Sequence, residues 1–399
     1  MGARRDYLIH LLTEAAEIEH NLLCSYLYAA FSLKSPGEGL GAAEEKAVGQ
    51  WHDAVLGVAI EEMGHLVLVN NLLVALGGDA HFDRANFPVP PGYHPAEFVI
   101  RLTPFTRETL QHFIFLERPE DVRVREGAGF VSRKPKLART PTAGHLTPST
   151  PDYETIGAFY AEIRAEIAAL DDGPGLPALV EADGDGQIGA GVIDLPGVDI
   201  ILTRDQALAA LDTIVAQGEG GPAARDDNHF ARFNAIAAEW TELDKANPDF
   251  RPAHAAAHDP VMRRPEKGLE RVWITRPATA ERLDLGNAVY ALTLTLLAQA
   301  WAPALTTAQR KARIDAALAL MHALGRIGRA LARLPARDDA EGNAGLTFAV
   351  PRNLTAAARG CSGALLRERL RDLEAGARRL FGTELDKAFG QAAAALQAV

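Results

Sequence analysis

The strongest constraint on this chain is one long apolar segment, Val55 to Leu76, which contains three ionisable side chains. Nearly every position around a helical projection of this segment is apolar, which predicts a helix buried on all sides. Glu61, Glu62 and His65 interrupt the apolar run. Because burial of an unpaired carboxylate costs several kcal/mol, a glutamate in such a helix must be paired, neutral or bound to a metal ion.

Glu62 and His65 stand at positions i and i+3, so their side chains lie on one face of the helix, one turn apart. A Glu-x-x-His pair that faces the interior of a helical bundle is the ligand unit of two-metal carboxylate proteins, in which two helices each bring such a pair and two others each bring a glutamate. The alternative is a core histidine that is hydrogen-bonded to a neighbouring glutamate. Further ligands elsewhere in the chain must decide between the two interpretations.

The composition is that of a soluble globular protein, with 48% hydrophobic and 23% charged residues, and 399 residues suggest about two or three domains. A net charge of -11 and a pI near 5.6 argue against a nucleic-acid or anionic-membrane partner, because either needs a basic face. The two cysteines have no disulfide or metal-site spacing, and no signal-peptide core or uninterrupted membrane-spanning run is found. We therefore expect a cytoplasmic protein without a membrane partner.

A second helix with an acidic residue on its inward face is predicted from Asp6 to Phe31. Glu19 lies within the apolar stripe of this helix, and Tyr26 lies two turns further along the same face, within reach of anything that Glu19 binds. Glu17 and His20 form another Glu-x-x-His pair on the flank, so Glu17 is an alternative ligand. The short polar connection that follows predicts an antiparallel pair of helices.

Residues 77–151 are rich in proline and glycine, and they predict a long crossover between the second and third helices of a bundle. Within this crossover, Phe98 to Thr103 alternates apolar and polar residues as a short strand does, and Thr106 to Phe115 is predicted to be a short helix.

The third helix is predicted from Tyr153 to Leu170, with Tyr160 on its inner stripe and Glu162 beside that stripe. Residues 171–200 form a Gly-, Pro- and Asp-rich insertion. The Gly-x-Gly-x-x-Gly spacing that begins at Gly184 has no clear strand before it and no helix after it, so no nucleotide cofactor is expected.

The fourth helix is predicted to begin near Asp226, and His229 heads its inward stripe either as a ligand or as a packed core residue. The sequence thus predicts a mainly all-α protein in three parts. They are a four-helix bundle over residues 1–245, a linker over 246–279 and a helical segment over 280–399 that packs on the bundle.

Several short motifs together resemble one bacterial family. They are Ile18-Glu19-His20 with Tyr26-Leu27-Tyr28, Ile60 to His65, Thr155-Ile156-Gly157 with Phe159-Tyr160, and Gln217 to Gly220 with His229-Phe230. The family is the ferritin-like one that includes the iminophenylpyruvate dimer synthases of violacein- and rebeccamycin-type indole pathways. The resemblance covers most of the chain. It implies a ferritin-like four-helix bundle and a non-haem iron enzyme that uses dioxygen to oxidise or oxygenate a small aromatic or amino-acid-derived metabolite.

Carried over position by position, the resemblance implies a set of metal ligands, namely Glu19, Glu62, His65, Glu219 and His229. Where the third helix of the family often carries a glutamate, this chain has Ala158, so Glu162, one turn further on, is the candidate ligand from that helix. We therefore expect one or two iron ions, with manganese as the alternative metal. Tyr26 and Tyr160 are the candidate catalytic side chains.

Carboxylate and imidazole ligands suit iron or manganese, and Glu61 is available to orient a ligating histidine from outside the coordination sphere. Two other functions remain open at this stage: metal binding without catalysis, and a metal-free bundle that acts as a partner subunit. The expected partner is a small-molecule substrate and not a nucleic acid, and a homodimer is a possible state.

Overall fold

The computed structural model describes residues 2–90, 93–94, 98–130, 150, 152–170, 184–218, 227–266 and 271–398. Within these ranges the regular structure is helical, and strand pairing is limited to isolated bridges. In chain order the helices are α1 (Gly2–Ser32), α2 (Ala42–Ala75), α3 (Arg107–Leu116), α4 (Ile156–Ala168), α5 (Arg204–Gln217), α6 (His229–Ala246), α7 (Pro277–Ala300), α8 (Thr307–Leu331), α9 (Leu354–Arg359), α10 (Gly363–Phe381), α11 (Asp386–Ala395) and a final 3-10 turn, Leu396–Ala398. The predicted all-α class is confirmed.

Polar N-cap residues determine where the helices around the interior begin. The side chains of Thr106 and Thr155 accept hydrogen bonds from backbone N–H groups in the first turns of α3 and α4. Asn228 does the same for α6 by accepting from the N–H of Ala231. Such caps satisfy backbone donors that have no partner within the helix. The Asn228 cap makes His229 the first helical residue of α6 and so defines the position of its side chain.

The first two helices form the predicted antiparallel pair. Arg5, near the start of α1, donates to the carbonyl of Leu76 at the end of α2, while Glu19 in the middle of α1 lies beside His65 in the middle of α2. By length and composition α2 could cross a membrane, but 83% of its most apolar stretch is buried inside the protein. The helix also begins earlier than the predicted Val55, because the preceding turns bury an apolar stripe of their own.

The short helix α3 reaches the interior of the bundle, although the sequence predicts it only as part of the crossover. The short helix α3, inside the predicted crossover 77–151, packs against α6, and α6 in turn packs against α2. The predicted third helix, α4, packs against α1 and α5, and α5 in turn packs against α2. Tertiary contacts rather than helix length decide which helices meet, and a helix of 10 residues can be stable once its apolar face is covered.

Two segments predicted from local pattern have other structures. No strand forms over residues 98–103, where Ile100 makes only an isolated bridge with Val89. The predicted linker 246–279 is a packed connection in its described part: Phe250 is 2% exposed, and Asp259 is fully buried. Alternation of apolar residues over so short a run does not distinguish a strand from an irregular segment whose side chains are half buried.

The C-terminal helices pack on the bundle. Helix α8 packs against α1, α7 and α11. The contact with α1 is close, since a Cβ atom added to Gly328 of α8 would stand 2.2 Å from the ring of Phe31. Tyr290 of α7 reaches His20 of α1 in the interior. The exact division of the chain into a bundle of residues 1–245 and a segment of 280–399 stays a prediction.

Candidate metal centre

Five ionisable side chains meet in the interior of the bundle, each at most 1% exposed. They form two groups of three that share Glu62: Glu19, Glu62 and His65 in one, and Glu62, Glu117 and His229 in the other. Within each group the candidate ligand atoms lie within 4.8 Å of one another. Helices α1, α2 and α6 and the residue that follows α3 therefore supply the cluster.

The first group is centred on His65. Its Nδ1 atom lies 3.0 Å from Oε2 of Glu62 and 3.4 Å from Oε2 of Glu19. Its Nε2 atom faces the other way and lies 3.0 Å from the side-chain oxygen of Gln217. The second carboxylate oxygen of Glu19 accepts a hydrogen bond from the hydroxyl group of Tyr160.

The second group repeats this arrangement around His229. Its Nδ1 atom lies 3.2 Å from Oε1 of Glu62 and 3.4 Å from Oε2 of Glu117. Its Nε2 atom lies 2.8 Å from the carboxylate of Glu61. The hydroxyl group of Tyr26 donates to the second oxygen of Glu117. Each group thus consists of a shared glutamate, a glutamate held by a tyrosine and a histidine held at its outer nitrogen.

The ionisable groups of the cluster shift one another's pKa values. Burial, together with the charge of Glu62, raises the pKa of Glu19 to about 8. Burial also opposes ionisation of Glu62, but the charges of His65 and His229 beside it outweigh burial and hold the pKa of Glu62 below its ordinary value. Against the effect of burial, the carboxylates of Glu62 and Glu19 raise the pKa of His65 to about 10. Three buried carboxylates need compensating positive charge, which protons or bound cations can supply.

The donor atoms fit a metal. Four of the buried atoms that face one another have no hydrogen-bond partner: Oε2 of Glu19, Oε1 of Glu62, Oε2 of Glu117 and Nδ1 of His229. Buried polar atoms rarely lack partners, and the carboxylate and imidazole chemistry of these four atoms suits a metal ion. The outer contacts of both histidines are to acceptor oxygens, so a neutral imidazole carries its proton on Nε2 and directs the lone pair of Nδ1 into the cluster.

Gly218 leaves room beside these donors. A Cβ atom at this position would stand 2.8 Å from Nδ1 of His229 and 3.4 Å from Oε2 of Glu117. The first distance is shorter than real Cβ contacts, so a larger residue would displace the imidazole or fill the space beside its lone pair. The absence of a side chain at Gly218 therefore keeps the end of α5 clear of the cluster.

Comparison with known proteins identifies the family. A family model described as Ferritin-like matches residues 12–238, which is more than half of the chain. The chain belongs to the ferritin-like family. The predicted resemblance is confirmed, and both ligand groups lie within the matched region, so the cluster occupies the part of the chain in which ferritin-like bundles build two-metal centres.

Two curated relatives and one solved structure resemble this ferritin-like chain. It is 26% identical over 327 residues to dichlorochromopyrrolate synthase of Lentzea aerocolonigenes, covering 74% of this chain and 31% of that protein. It is 28% identical over 358 residues to 2-imino-3-(indol-3-yl)propanoate dimerase of Chromobacterium violaceum, covering 81% of this chain and 32% of that one. The chain spans about a third of the length of these relatives.

The solved structure is that of a ferritin-like protein from Caulobacter vibrioides. It superposes with a TM-score of 0.53 at 18% identity and covers 86% of this chain and 98% of its own. At this level of identity the likeness establishes the fold alone.

The structure brings together most of the site residues predicted for this ferritin-like protein. Glu19, Glu62, His65 and His229 lie in the cluster, and Tyr26 and Tyr160 each donate to one of its carboxylates. Glu61 also lies where an orienting carboxylate was expected, against the outer nitrogen of a histidine. The alternative ligand Glu17 instead accepts from Tyr93 at 2.8 Å and pairs with His81 at 3.3 Å.

Glu162 is not brought to the cluster, which corrects the predicted ligand set. Its carboxylate accepts from the hydroxyl group of Tyr7 at 3.3 Å. Tyr7 precedes Glu19 by three turns of α1, or about 18 Å along the helix axis. Helix α4 thus points Tyr160 inward and Glu162 elsewhere. Glu219 lies outside the described residues, so its role stays a prediction.

Sequence reasoning missed Glu117. This residue is the C-cap of α3, where a carboxylate gains nothing from the helix dipole, and it lies beyond the predicted end of the helix at Phe115. A signal was present: Leu110, Phe113 and Glu117 recur at i, i+3 and i+7, so Glu117 lies on the buried stripe of a short helix just as Glu19 does on that of α1.

Proposed function

We propose that this ferritin-like protein is a two-metal oxidoreductase that uses iron and dioxygen to oxidise or oxygenate a small aromatic or amino-acid-derived molecule. The observation that carries the proposal is the pair of buried three-residue groups that share Glu62. Carboxylate and imidazole donors are the ligands that iron and manganese use in oxygen-dependent enzymes. When bound, the metal would supply open coordination positions for dioxygen and electrons for the oxidation.

The names of the two curated relatives support the proposed substrate class. One name specifies an indole-bearing 2-imino acid, and the other specifies the chlorinated product dichlorochromopyrrolate. Because this chain spans about a third of those proteins, their complete reactions are not transferred to it. An aromatic 2-imino acid is the first compound to test.

The proposed centre divides its ligands evenly between two ions. Glu62 would be shared by both ions, Glu19 and His65 would bind one, and Glu117 and His229 would bind the other. Three carboxylates offset three of the four charges of two divalent ions. Glu219 follows Gly218 directly in the chain, and Gly218 contacts the cluster, so Glu219 remains the candidate for the fourth carboxylate.

Tyr26 and Tyr160 would hold the two unshared carboxylates in place and can hold or give up a proton at those oxygen atoms. Aromatic rings surround Tyr26: the ring centroids of Phe113 and Phe233 lie 4.6 and 5.4 Å from its own. This apolar packing excludes water, which strengthens the electrostatic interactions within the cluster.

The hypothesis of a metal-free partner subunit is no longer supported by its main observation. That alternative depended on Ala158, which leaves the third helix without a ligand. Glu117 supplies the carboxylate from a different helix, so a ligand set for two ions is available among the described residues. Metal binding without catalysis remains the alternative function. A cytoplasmic location and a homodimer stay predictions.

The test combines metal analysis with dioxygen uptake. Apo protein titrated with ferrous iron without oxygen is expected to bind two ions per chain and then to consume dioxygen on exposure to air. Glu62→Gln should lose both properties, whereas Glu162→Gln, which changes a carboxylate outside the cluster, should keep both. Stoichiometric iron binding without dioxygen uptake, with or without an aromatic 2-imino acid, would support the non-catalytic alternative and refute the proposed enzyme.

A further inference from the structure

The two histidines of the cluster differ in what holds their outer nitrogens. Nε2 of His65 lies 3.0 Å from the amide oxygen of Gln217, which is neutral. Nε2 of His229 lies 2.8 Å from Oε2 of Glu61, which is a carboxylate. The inner contacts are otherwise matched, since each Nδ1 faces Glu62 and one further glutamate.

The carboxylate of Glu61 is held in its charged form and in one orientation. Its other oxygen accepts from the guanidinium group of Arg232 at 2.8 Å, one turn beyond His229 in α6. The side chain of Glu61 is 24% exposed, whereas the carboxylates of the cluster are fully buried. Glu61 therefore lies between solvent and the His229 half of the cluster.

An imidazole whose outer nitrogen faces a carboxylate donates its Nδ1 lone pair to a metal ion more strongly than an imidazole whose outer nitrogen faces an amide. The carboxylate attracts the Nε2 proton, which increases electron density at Nδ1, and its negative charge also attracts a cation bound there. An amide oxygen fixes the same tautomer and ring orientation with a weaker effect on basicity. The described inner ligands of the two positions are equivalent in kind. The partner of the outer nitrogen should therefore make the affinities of the two positions for a metal ion different.

We propose that the two metal positions are inequivalent, with the His229 position binding a divalent ion first and more tightly, and that Glu61 and Gln217 are the positioning residues that set this order. The inference rests on the two-metal centre of the proposed function. It concerns equilibrium binding and requires no turnover.

The experiment is a calorimetric titration of the metal-free 399-residue chain with Mn²⁺ in the absence of a substrate. Two ions per chain should bind in two resolved steps. His65→Ala should keep the tight step and lose the weak one, and His229→Ala should do the reverse. These two variants assign each step to a position.

Reciprocal substitutions then test the outer partners. Glu61→Gln gives His229 an amide partner like that of His65, and it should weaken the tight step about 10- to 100-fold, the usual effect of an outer-partner change. Gln217→Glu gives His65 a carboxylate and should tighten the weak step. General structural damage would not produce the gain of affinity that is expected for Gln217→Glu. The melting temperature of each apo variant checks that the variant folds.

The outcomes separate this inference from the proposed function. Two ions that bind the wild-type protein with a single affinity would overturn the inference and leave the two-metal enzyme intact. The inference would also fail if Glu61→Gln and Gln217→Glu changed both steps alike or changed neither. Absence of both Mn²⁺ and Fe²⁺ binding to the wild-type protein would refute the proposed function as well.

Discussion

Oε2 of Glu117 lies 3.4 Å from Nδ1 of His229, which joins the end of α3 to the start of α6 in one candidate metal-binding group. Glu117 lies in the predicted crossover, so part of the crossover belongs to the candidate centre. Its carboxylate takes the place of the one that the third helix was expected to supply, and each of the two groups then has two glutamates and one histidine.

The first prediction concerns that carboxylate. Glu117→Gln removes the charged ligand but keeps the side-chain shape, so iron stoichiometry should fall from two ions to about one, because Glu19, Glu62 and His65 remain. Anaerobic titration with ferrous iron measures this. Glu162→Gln is the matched control and should still bind two ions; a loss there together with full binding by Glu117→Gln would reverse our assignment of the ligands.

The second prediction concerns space beside the cluster. Gly218→Ala places a methyl group 2.8 Å from Nδ1 of His229, which should displace the imidazole and abolish binding of one ion. Gly49→Ala in α2 meets nothing within 4 Å and should leave binding intact while it stabilises the helix by about 0.5–1 kcal/mol. Metal analysis of the two purified variants gives the comparison. Normal loading of Gly218→Ala would mean that this position tolerates a side chain.

The third prediction concerns a polar network on the opposite face of α1. The hydroxyl group of Tyr290 accepts from Arg84 at 3.1 Å and also contacts His20 and Cys24. Tyr290→Phe leaves these buried groups with fewer partners, so the free energy of unfolding should fall by about 1–3 kcal/mol. Metal stoichiometry should not change, because the network is separate from the cluster.

Urea unfolding of Tyr290→Phe, compared with that of Tyr93→Phe, measures this effect. Tyr93 is 46% exposed, so loss of its hydroxyl group should cost less than loss of the buried one. Equal costs in the two variants would show that burial does not increase the contribution of the hydroxyl group to stability.

The fourth prediction is a pH dependence at the turn between α1 and α2. Burial tends to raise the pKa of Glu38, but hydrogen bonds from Arg333, the backbone of Ser35 and His254 outweigh it and lower this pKa to about 2. Because the folded-state pKa is lowered, the stabilisation is present above the ordinary pKa of 4.5 and is lost as the pH falls towards 2.

Glu38→Gln should therefore lower the free energy of unfolding by about 1 kcal/mol at pH 6, a modest value because solvent screens a partly exposed ion pair. The difference from the wild-type protein should shrink at pH 3. Glu242→Gln, which removes an exposed pair with Lys245, should have almost no effect at either pH. A Glu38→Gln deficit that stays constant between pH 6 and pH 3 would exclude ionisation as its cause.

The sequence alone determined the parts of this ferritin-like protein that depend on local periodicity. A buried helix with Glu62 and His65 one turn apart, and Glu19 within an apolar stripe, follow from the 3.6-residue repeat, because an ionisable group in such a stripe must face the interior. Tyr26 and Tyr160 were found in the same way. These residues also carry the family resemblance that the comparison confirmed.

Only the tertiary structure decided which of the other acidic residues reach the centre. Glu117 and Glu162 both lie on or beside helical apolar stripes, and the family resemblance favours the third helix, which carries Glu162. Packing of α3 against α6 brings Glu117 to His229, while α4 directs Glu162 to Tyr7. Which helices meet depends on contacts between residues far apart in the chain, and periodicity within one helix carries no information about its neighbours.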